Sequence, residues 1–299
     1  VITVRLSGGL GNQMFQFAAG LALSLRHDTG IELDARSFER DRLRKFSLFN
    51  FGLRPTTATE TLKKWPPVRR GLVNFPWWKI RHGIGVQYVR ERGPISQENI
   101  AQIGPSAYLH GYWQNERYFA DHASEVRRAL RIVSPIDPTN QKWLDRIRDR
   151  AAISVHVRRS DYTTDAVNQN LYATCDLNYY VNSAEYLAEN ISSKPYFMVF
   201  SDDPEWSAAN LRLPGEADFV AHNSGDAFIE DLRLMSACRH HIIANSTFSW
   251  WGAWLGENPD RTIVAPANWY RDAVRDLNNP IPPNWIRIPL MANADAASM

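Results

Sequence analysis

Cysteine is nearly absent from this 299-residue chain. Cys175 and Cys238 are the only two, and their separation fits neither a disulfide framework nor a thiolate metal site. Long apolar runs are missing too. None approaches the roughly 20 residues that a membrane-spanning helix needs, and the opening "VITVRLSGG" reads as a strand rather than a secretory leader. Charge of one sign is also scarce: 34 basic against 32 acidic residues leave a net +2, which excludes the overall basic field of a dedicated nucleic-acid binder. Internal repeats are absent. These absences point to a cytoplasmic enzyme or binding protein that works without structural metal and without nucleic acid. The tail "MANADAASM" is small and polar and reads as disordered.

What is present is a 44% apolar share and eleven tryptophans. Flat side chains of that kind either fill a core or hold sugar rings on loops. Ile2 to Leu6 alternates as a strand, "SGGLGNQ" is a tight glycine loop, Met14 to Leu25 has helical apolar spacing, and "IELDA" is a second strand, so the chain opens as a βαβ unit. From Phe38 to Gly104 the pattern loosens and predicts loops and short helices. Asp137 and Pro138 signal a helix start, with Trp143, Leu144 and Ile147 on one face.

A domain boundary is expected near residue 150, giving domains 1–149 and 150–299. Beyond it, "AISVHV", "YFMVF", "DFVA", "HIIA" and "TIVA" read as strands alternating with helices, which implies a parallel, doubly wound α/β sheet.

Polar clusters follow three of those strands: Arg158, Arg159 and Asp161; Ser201, Asp202 and Asp203; Asn245, Ser246 and Thr247. Ligands of open parallel sheets bind at the carboxyl ends of the strands, so the clusters mark a binding edge. Adjacent arginines present fixed cationic forks to phosphate oxygens, although an ion pair, most simply with Asp161, is the plainer use. Asn245 to Thr247 open a helix whose N–H groups favour phosphate; a simple cap is the alternative. The sequons at Asn245 and at Asn190 read as chance matches. Asp202 and Asp203 suggest either a divalent metal or the turn before Pro204.

The glycine loop admits a dinucleotide reading with Asp34 on the ribose, weakened because Met14 replaces the third glycine. Residues 61–93 carry eight lysines and arginines against one glutamate, interleaved with Trp65, Trp77 and Trp78. That stretch admits peripheral contact with an anionic membrane surface or with nucleic acid, or a solvated acceptor-side loop.

Four motifs, "GGLGNQMFQFA" (8–18), "GYWQNERYF" (111–119), "HVRRSDY" (156–162) and "NSTFSWWGAWL" (245–255), make the chain resemble the bacterial α-1,2-fucosyltransferases over nearly its whole length. The resemblance implies a GT-B architecture with two Rossmann-like domains facing across a cleft. The first would lie on the acceptor side and the second would bind GDP-β-L-fucose, with metal-free, inverting transfer to the 2-hydroxyl of a terminal galactoside.

By the same resemblance Arg158 and Arg159 meet the donor diphosphate, while His156 and Asp161 complete a catalytic motif in which Ser160 replaces the family's common glycine. Asp231 reads guanine; Gly11, Asn12, Asp202, Asn245, Ser246 and Thr247 also line the donor site. Trp113, Gln114 and Glu116 fall on the acceptor side, where their motif's aromatics could equally be packing. For the general base, position offers Asp161, Glu116 and Asp165, with Asp161 preferred. Two other classes compete: a nicotinamide oxidoreductase using the glycine loop and Asp34, and a non-catalytic carbohydrate-binding protein using the tryptophans.

Overall fold

A computed structural model describes residues 1–57, 85–91, 100–159 and 171–290. Ser160, Asp161, Asp165, Trp65, Trp77, Trp78, most of the basic stretch and the C-terminal tail therefore lie outside the described residues. The chain divides into two compact units, Val1–Ser134 and Pro135–Met299. The helix Pro138–Asp149, assigned from sequence to the first domain, belongs to the second. Its Trp143 stacks on His222 at 5.2 Å, and its Arg146 donates to Asp218 at 2.6 Å.

The first unit is a parallel sheet in the order β2-β1-β4-β3, from Ile31–Asp34, Ile2–Arg5, Ala107–His110 and Gln87–Arg90. Strand β3 falls where only loops and short helices were expected. It is four residues long, with Tyr88 and Val89 half-buried between exposed Gln87 and Arg90, so its pattern is too short to register.

Helix α1, Leu10–Arg26, begins four residues earlier than its apolar spacing suggested. Gly8, at φ +77°, turns the chain out of β1, and extended Gly9 starts the helix. A side chain is excluded at Gly20, where a Cβ would sit 2.2 Å from Val4 Cγ2; glycine lets α1 lie directly on β1.

The second unit is a six-stranded parallel sheet ordered β10-β9-β8-β5-β6-β7. Its strands are β5 Ile153–Val157, β6 Tyr196–Ser201, β7 Glu216–Val220, β8 His240–Ile242, β9 Ile263–Pro266 and β10 Ile286–Ile288. Helices cover both faces. Ile153, Val155 and Val157 pack with Tyr179, Ala184 and Leu187 of the helix Leu177–Asn190. The alternate residues Ser154 and His156 point the other way, toward His241 and Phe248. Burial on both faces explains why these strands read as nearly continuous apolar runs. Among the described residues no helix is long and apolar enough to cross a membrane.

Tryptophan here is chiefly core. Trp113, Trp250, Trp251, Trp254, Trp269 and Trp285 are all buried. Trp250 is edge-on to Trp251 at 5.0 Å and parallel to Trp254 at 6.0 Å.

Candidate active site

At the carboxyl edge of the second sheet, β5 lies between β6 and β8. That order brings the three sequence clusters side by side. Arg158 Nε is 3.5 Å from Asp202 Oδ2, and the other oxygen of Asp202 accepts the Arg159 backbone N–H at 2.9 Å. Asp203 caps the helix Pro204–Asn210, accepting from Trp206 N at 3.1 Å, and lies 3.7 Å from Arg159 Nε. The Arg159 guanidinium sits 3.7 Å over the Trp206 ring.

The arginines are thus ion-paired with Asp202 and Asp203; Asp161, the partner that sequence proximity suggested, lies outside the described residues. Both remain partly open to solvent, at 27% and 31% of the side chain. Asp202 holds the arginine loop rather than facing a ligand alone. Both aspartates thus contact guanidinium and backbone amide groups of this edge.

His156 stands behind the arginines, 6% exposed, its ring 6.0 Å from that of Phe248. Burial, then the positive charge of Arg158, pull its pKa down to about 4, against a smaller opposing effect of Asp202. The imidazole is therefore neutral at pH 7 and adds no charge beside Arg158.

The helix Thr247–Leu255 starts beside this pair. Ser246, its first flanking residue, caps none of the helix's amides with its hydroxyl, and Ser246 and Thr247 are half-buried. An uncapped N-terminus of this kind keeps amide donors for an anion.

Asn245 has a different task. It is 1% exposed, and its side-chain amide donates to Ala173 O and, at 3.2 Å, to Trp269 O. It ties together the loops that follow β5 and β9. Its burial also rules out use of the sequon in the folded chain. Replacing Asn245 with alanine is expected to cost about 1–3 kcal/mol, because two buried carbonyls lose their donor. Urea denaturation checks this, and an unchanged midpoint would refute the strut role.

Asp231 lies in the first turn of the helix Phe228–Ala237. Asn223 donates to its Oδ1 at 2.8 Å, and Asn223 is itself fixed by reciprocal amide bonds with Asn140 at 2.9 and 3.0 Å. Burial raises the carboxyl pKa to about 7; the Asn223 bond opposes this, and the charge of Glu230 adds to it. The Asn140–Asn223 support was invisible in sequence because its members are 83 residues apart.

In the first unit, Gln13 and Gln16, both fully buried, lock the glycine loop. Gln13 donates to Gly8 O and Lys45 O at 2.9 Å each, while Gln16 accepts from Ser7 N at 2.9 Å and donates to Gly111 O at 3.0 Å. Sequence reading missed them, although two glutamines on an otherwise apolar helix face were a usable signal. Gly11 lies in the first turn of α1. The Asn12 side-chain Oδ1 accepts from Gln114 Nε2 at 2.7 Å, joining a donor-site and an acceptor-side candidate within one unit.

Trp113 does not serve the acceptor side through its ring: it is 2% exposed, edge-on to Tyr118 at 5.2 Å, and packs the core. Glu116 is half-buried and opens the short helix Glu116–Tyr118. Asp34 is unavailable for a ribose. Arg36 grips it at 2.8 and 2.7 Å and the Tyr108 hydroxyl donates at 2.7 Å; burial acts to raise its pKa, but these bonds outweigh it and hold the pKa low. The oxidoreductase reading loses its key contact.

Units built on parallel sheets with helices packed against them are those of the GT-B type of fold. The fold likeness agrees: a mutant Arabidopsis thaliana FUT1, solved in complex with GDP, matches at a TM-score of 0.50 and 11% identity, over 88% of this chain and 69% of that one. The chain belongs to glycosyl transferase family 11, whose model matches residues 87–289. It is 31% identical to an Escherichia coli alpha-1,2-colitosyltransferase over 96% of this chain and 99% of the relative. It is 30% identical to the Escherichia coli O-antigen biosynthesis glycosyltransferase WbnK over 89% and 93% of the two chains. It is also 25% identical to the mouse galactoside 2-alpha-L-fucosyltransferase Sec1, over 85% of this chain and 64% of that one.

Proposed function

We propose that this glycosyltransferase moves L-fucose from GDP-β-L-fucose to the 2-hydroxyl of a terminal galactoside, inverting β to α and using no metal. The observation that carries the reading is the arginine pair at the end of β5, pinned by Asp202 and Asp203 beside an uncapped helix N-terminus. As the bond to fucose breaks, negative charge grows on the diphosphate while the sugar gains oxocarbenium character. Fixed cations and amide dipoles stabilise that charge without reorganising, which is where such a site lowers the barrier. Arg158 and Arg159, with Ser246 and Thr247, supply them, and Asp231 takes the guanine edge. The acceptor hydroxyl loses its proton to a base; Asp161, next in the motif, is the candidate.

A second donor is favoured by one observation, the 31% identity to a protein named as a colitosyltransferase. Colitose is fucose without its 3-hydroxyl, so the same diphosphate and guanine contacts serve both donors. Competing GDP-fucose against GDP-colitose on one galactoside acceptor decides between them. Preference for GDP-fucose supports the first reading, and preference for GDP-colitose replaces it.

Transfer is expected to persist in excess EDTA, measured as GDP release. An absolute need for added Mn²⁺ or Mg²⁺ would sink the metal-free mechanism. Titration with GDP in EDTA, with NAD as control, tests the nucleotide site directly.

A further inference from the structure

The first sheet has one apolar face, covered by α1, and one polar face. Register places Thr3, Arg5, Glu32, Asp34, Tyr108, Tyr88, His110 and Arg90 on the polar side. Most of these groups satisfy one another. Thr3 donates to Glu32 at 3.1 Å, and Asp34 is saturated by Arg36 and Tyr108.

At the carboxyl edge the accounting changes. Arg5, half-buried, donates to His110 Nε2. An arginine has no acceptor, so Nε2 carries the lone pair and the ring proton sits on Nδ1, toward the Tyr88 hydroxyl. Arg90, exposed, is in register with His110 on the other side. Among the described residues no carboxylate pairs with Arg5 or Arg90.

Asp34, opposite Arg5 in register, is already held by Arg36 and Tyr108, so the positive charges of Arg5 and Arg90 flank a neutral imidazole with no carboxylate among the described residues hydrogen-bonded to either. His110 registers that field: burial, then Arg5, then Arg90, drive its pKa down to about 4. Glu91 follows Arg90, and its carboxylate holds the Tyr112 and Trp113 amides at 2.7 and 2.9 Å. Neither guanidinium therefore has a carboxylate partner of its own among the described residues of this edge, and one carboxylate is an anion that two such forks can share. Beside it the Tyr88 ring lies parallel to Tyr108 at 5.9 Å, an aromatic wall of the sort on which sugar rings rest.

We propose that this edge is an anion site for the acceptor, in which Arg5 and Arg90 take the carboxylate of an acidic sugar lying beside Tyr88. The assignment rests on the glycosyl-transfer reading for its ligand class, and nothing in the donor site depends on it.

The test is calorimetric titration of the full chain with methyl β-D-glucuronide, its neutral twin methyl β-D-glucoside, and inorganic phosphate, with GDP titrated separately. The glucuronide is expected to bind at least about tenfold more tightly than the glucoside, and to weaken about tenfold in Arg90→Gln, as loss of one charge-assisted contact implies. Arg5→Gln should abolish the difference between the two sugars. Because Arg5 is structurally engaged, exposed Arg90 provides the variant that keeps its fold.

Equal binding of the two sugars, indifference to Arg90→Gln, or phosphate binding more tightly than the glucuronide would each overturn the proposal. GDP binding retained in both variants with glucuronide binding lost supports it. Failure of the wild type to bind GDP would strike the donor reading instead.

Discussion

Arg158→Ala is expected to lower turnover by about 10²–10³-fold, the usual loss when one fixed donor to a developing anion is removed, while the protein stays folded. The two halves of that expectation have separate physical sources. Arg158 leaves β5 partly solvated, and its 3.5 Å pair with Asp202 is a weak contributor to stability, of the order of 1 kcal/mol or less. Asp202 keeps its bond to the Arg159 amide in the variant, so the loop retains its main anchor.

In the transition state the leaving diphosphate carries more charge than in the bound donor, and a guanidinium already held in place stabilises that increment directly. Lysine is a poor substitute. Its single ammonium cannot reproduce the paired N–H fork, so Arg158→Lys should recover only part of the loss. Single-turnover rates with saturating GDP-fucose, beside thermal melts, make the comparison. Turnover like the wild type in Arg158→Ala would remove the arginine from the mechanism. A collapsed melt would leave Arg158→Lys, with its charge kept, to read the geometric effect.

The ion pair of these arginines illustrates what a sequence discloses and what it withholds. That β5 and β6 are strands is legible, because burial on both faces makes "ISVHV" and "YFMVF" nearly all apolar. That Asp202 and Asp203 meet Arg158 and Arg159 requires knowing that β5 and β6 are neighbours, a fact of topology rather than of local pattern. Proximity along the chain offers only Asp161, whereas these two partners lie at least 43 residues from the arginines.

Asn245 shows the same limit from the other side. Its place in a helix-opening motif is visible, but its amide is directed at Ala173 and Trp269, 72 and 24 residues away. Strands β3 and β10 escaped for a simpler reason. Both are edge strands of three or four residues with half-exposed side chains, and such segments carry little periodic signal. The domain boundary shifted because Trp143 packs on His222, so the helix before residue 150 joins the sheet that follows it.

GDP binding is expected to tighten about tenfold between pH 6 and pH 8, and Asp231→Asn should erase that part of the dependence. Guanine offers N–H donors from its N1 and exocyclic amine, so only an ionised carboxylate accepts both. With a pKa of about 7 in the free protein, Asp231 is roughly one tenth ionised at pH 6 and nine tenths at pH 8, and affinity follows the competent fraction.

The phosphate of GDP titrates in the same range. The difference between wild type and Asp231→Asn therefore isolates the carboxylate, and calorimetry in buffers of different ionisation enthalpy should show the wild type releasing close to one extra proton at pH 6.

The stability consequence has the opposite sign. A folded-state pKa above the ordinary 3.8 means that the native protein binds more protons than the unfolded chain from about pH 4 to 7. The free protein therefore loses stability as pH rises through that window. Asp231→Asn should be flatter across it and relatively more stable at pH 8, yet bind GDP weakly at every pH. If the variant binds GDP as tightly as the wild type at pH 8, Asp231 does not read guanine, and its raised pKa reflects burial beneath the Asn140–Asn223 pair alone.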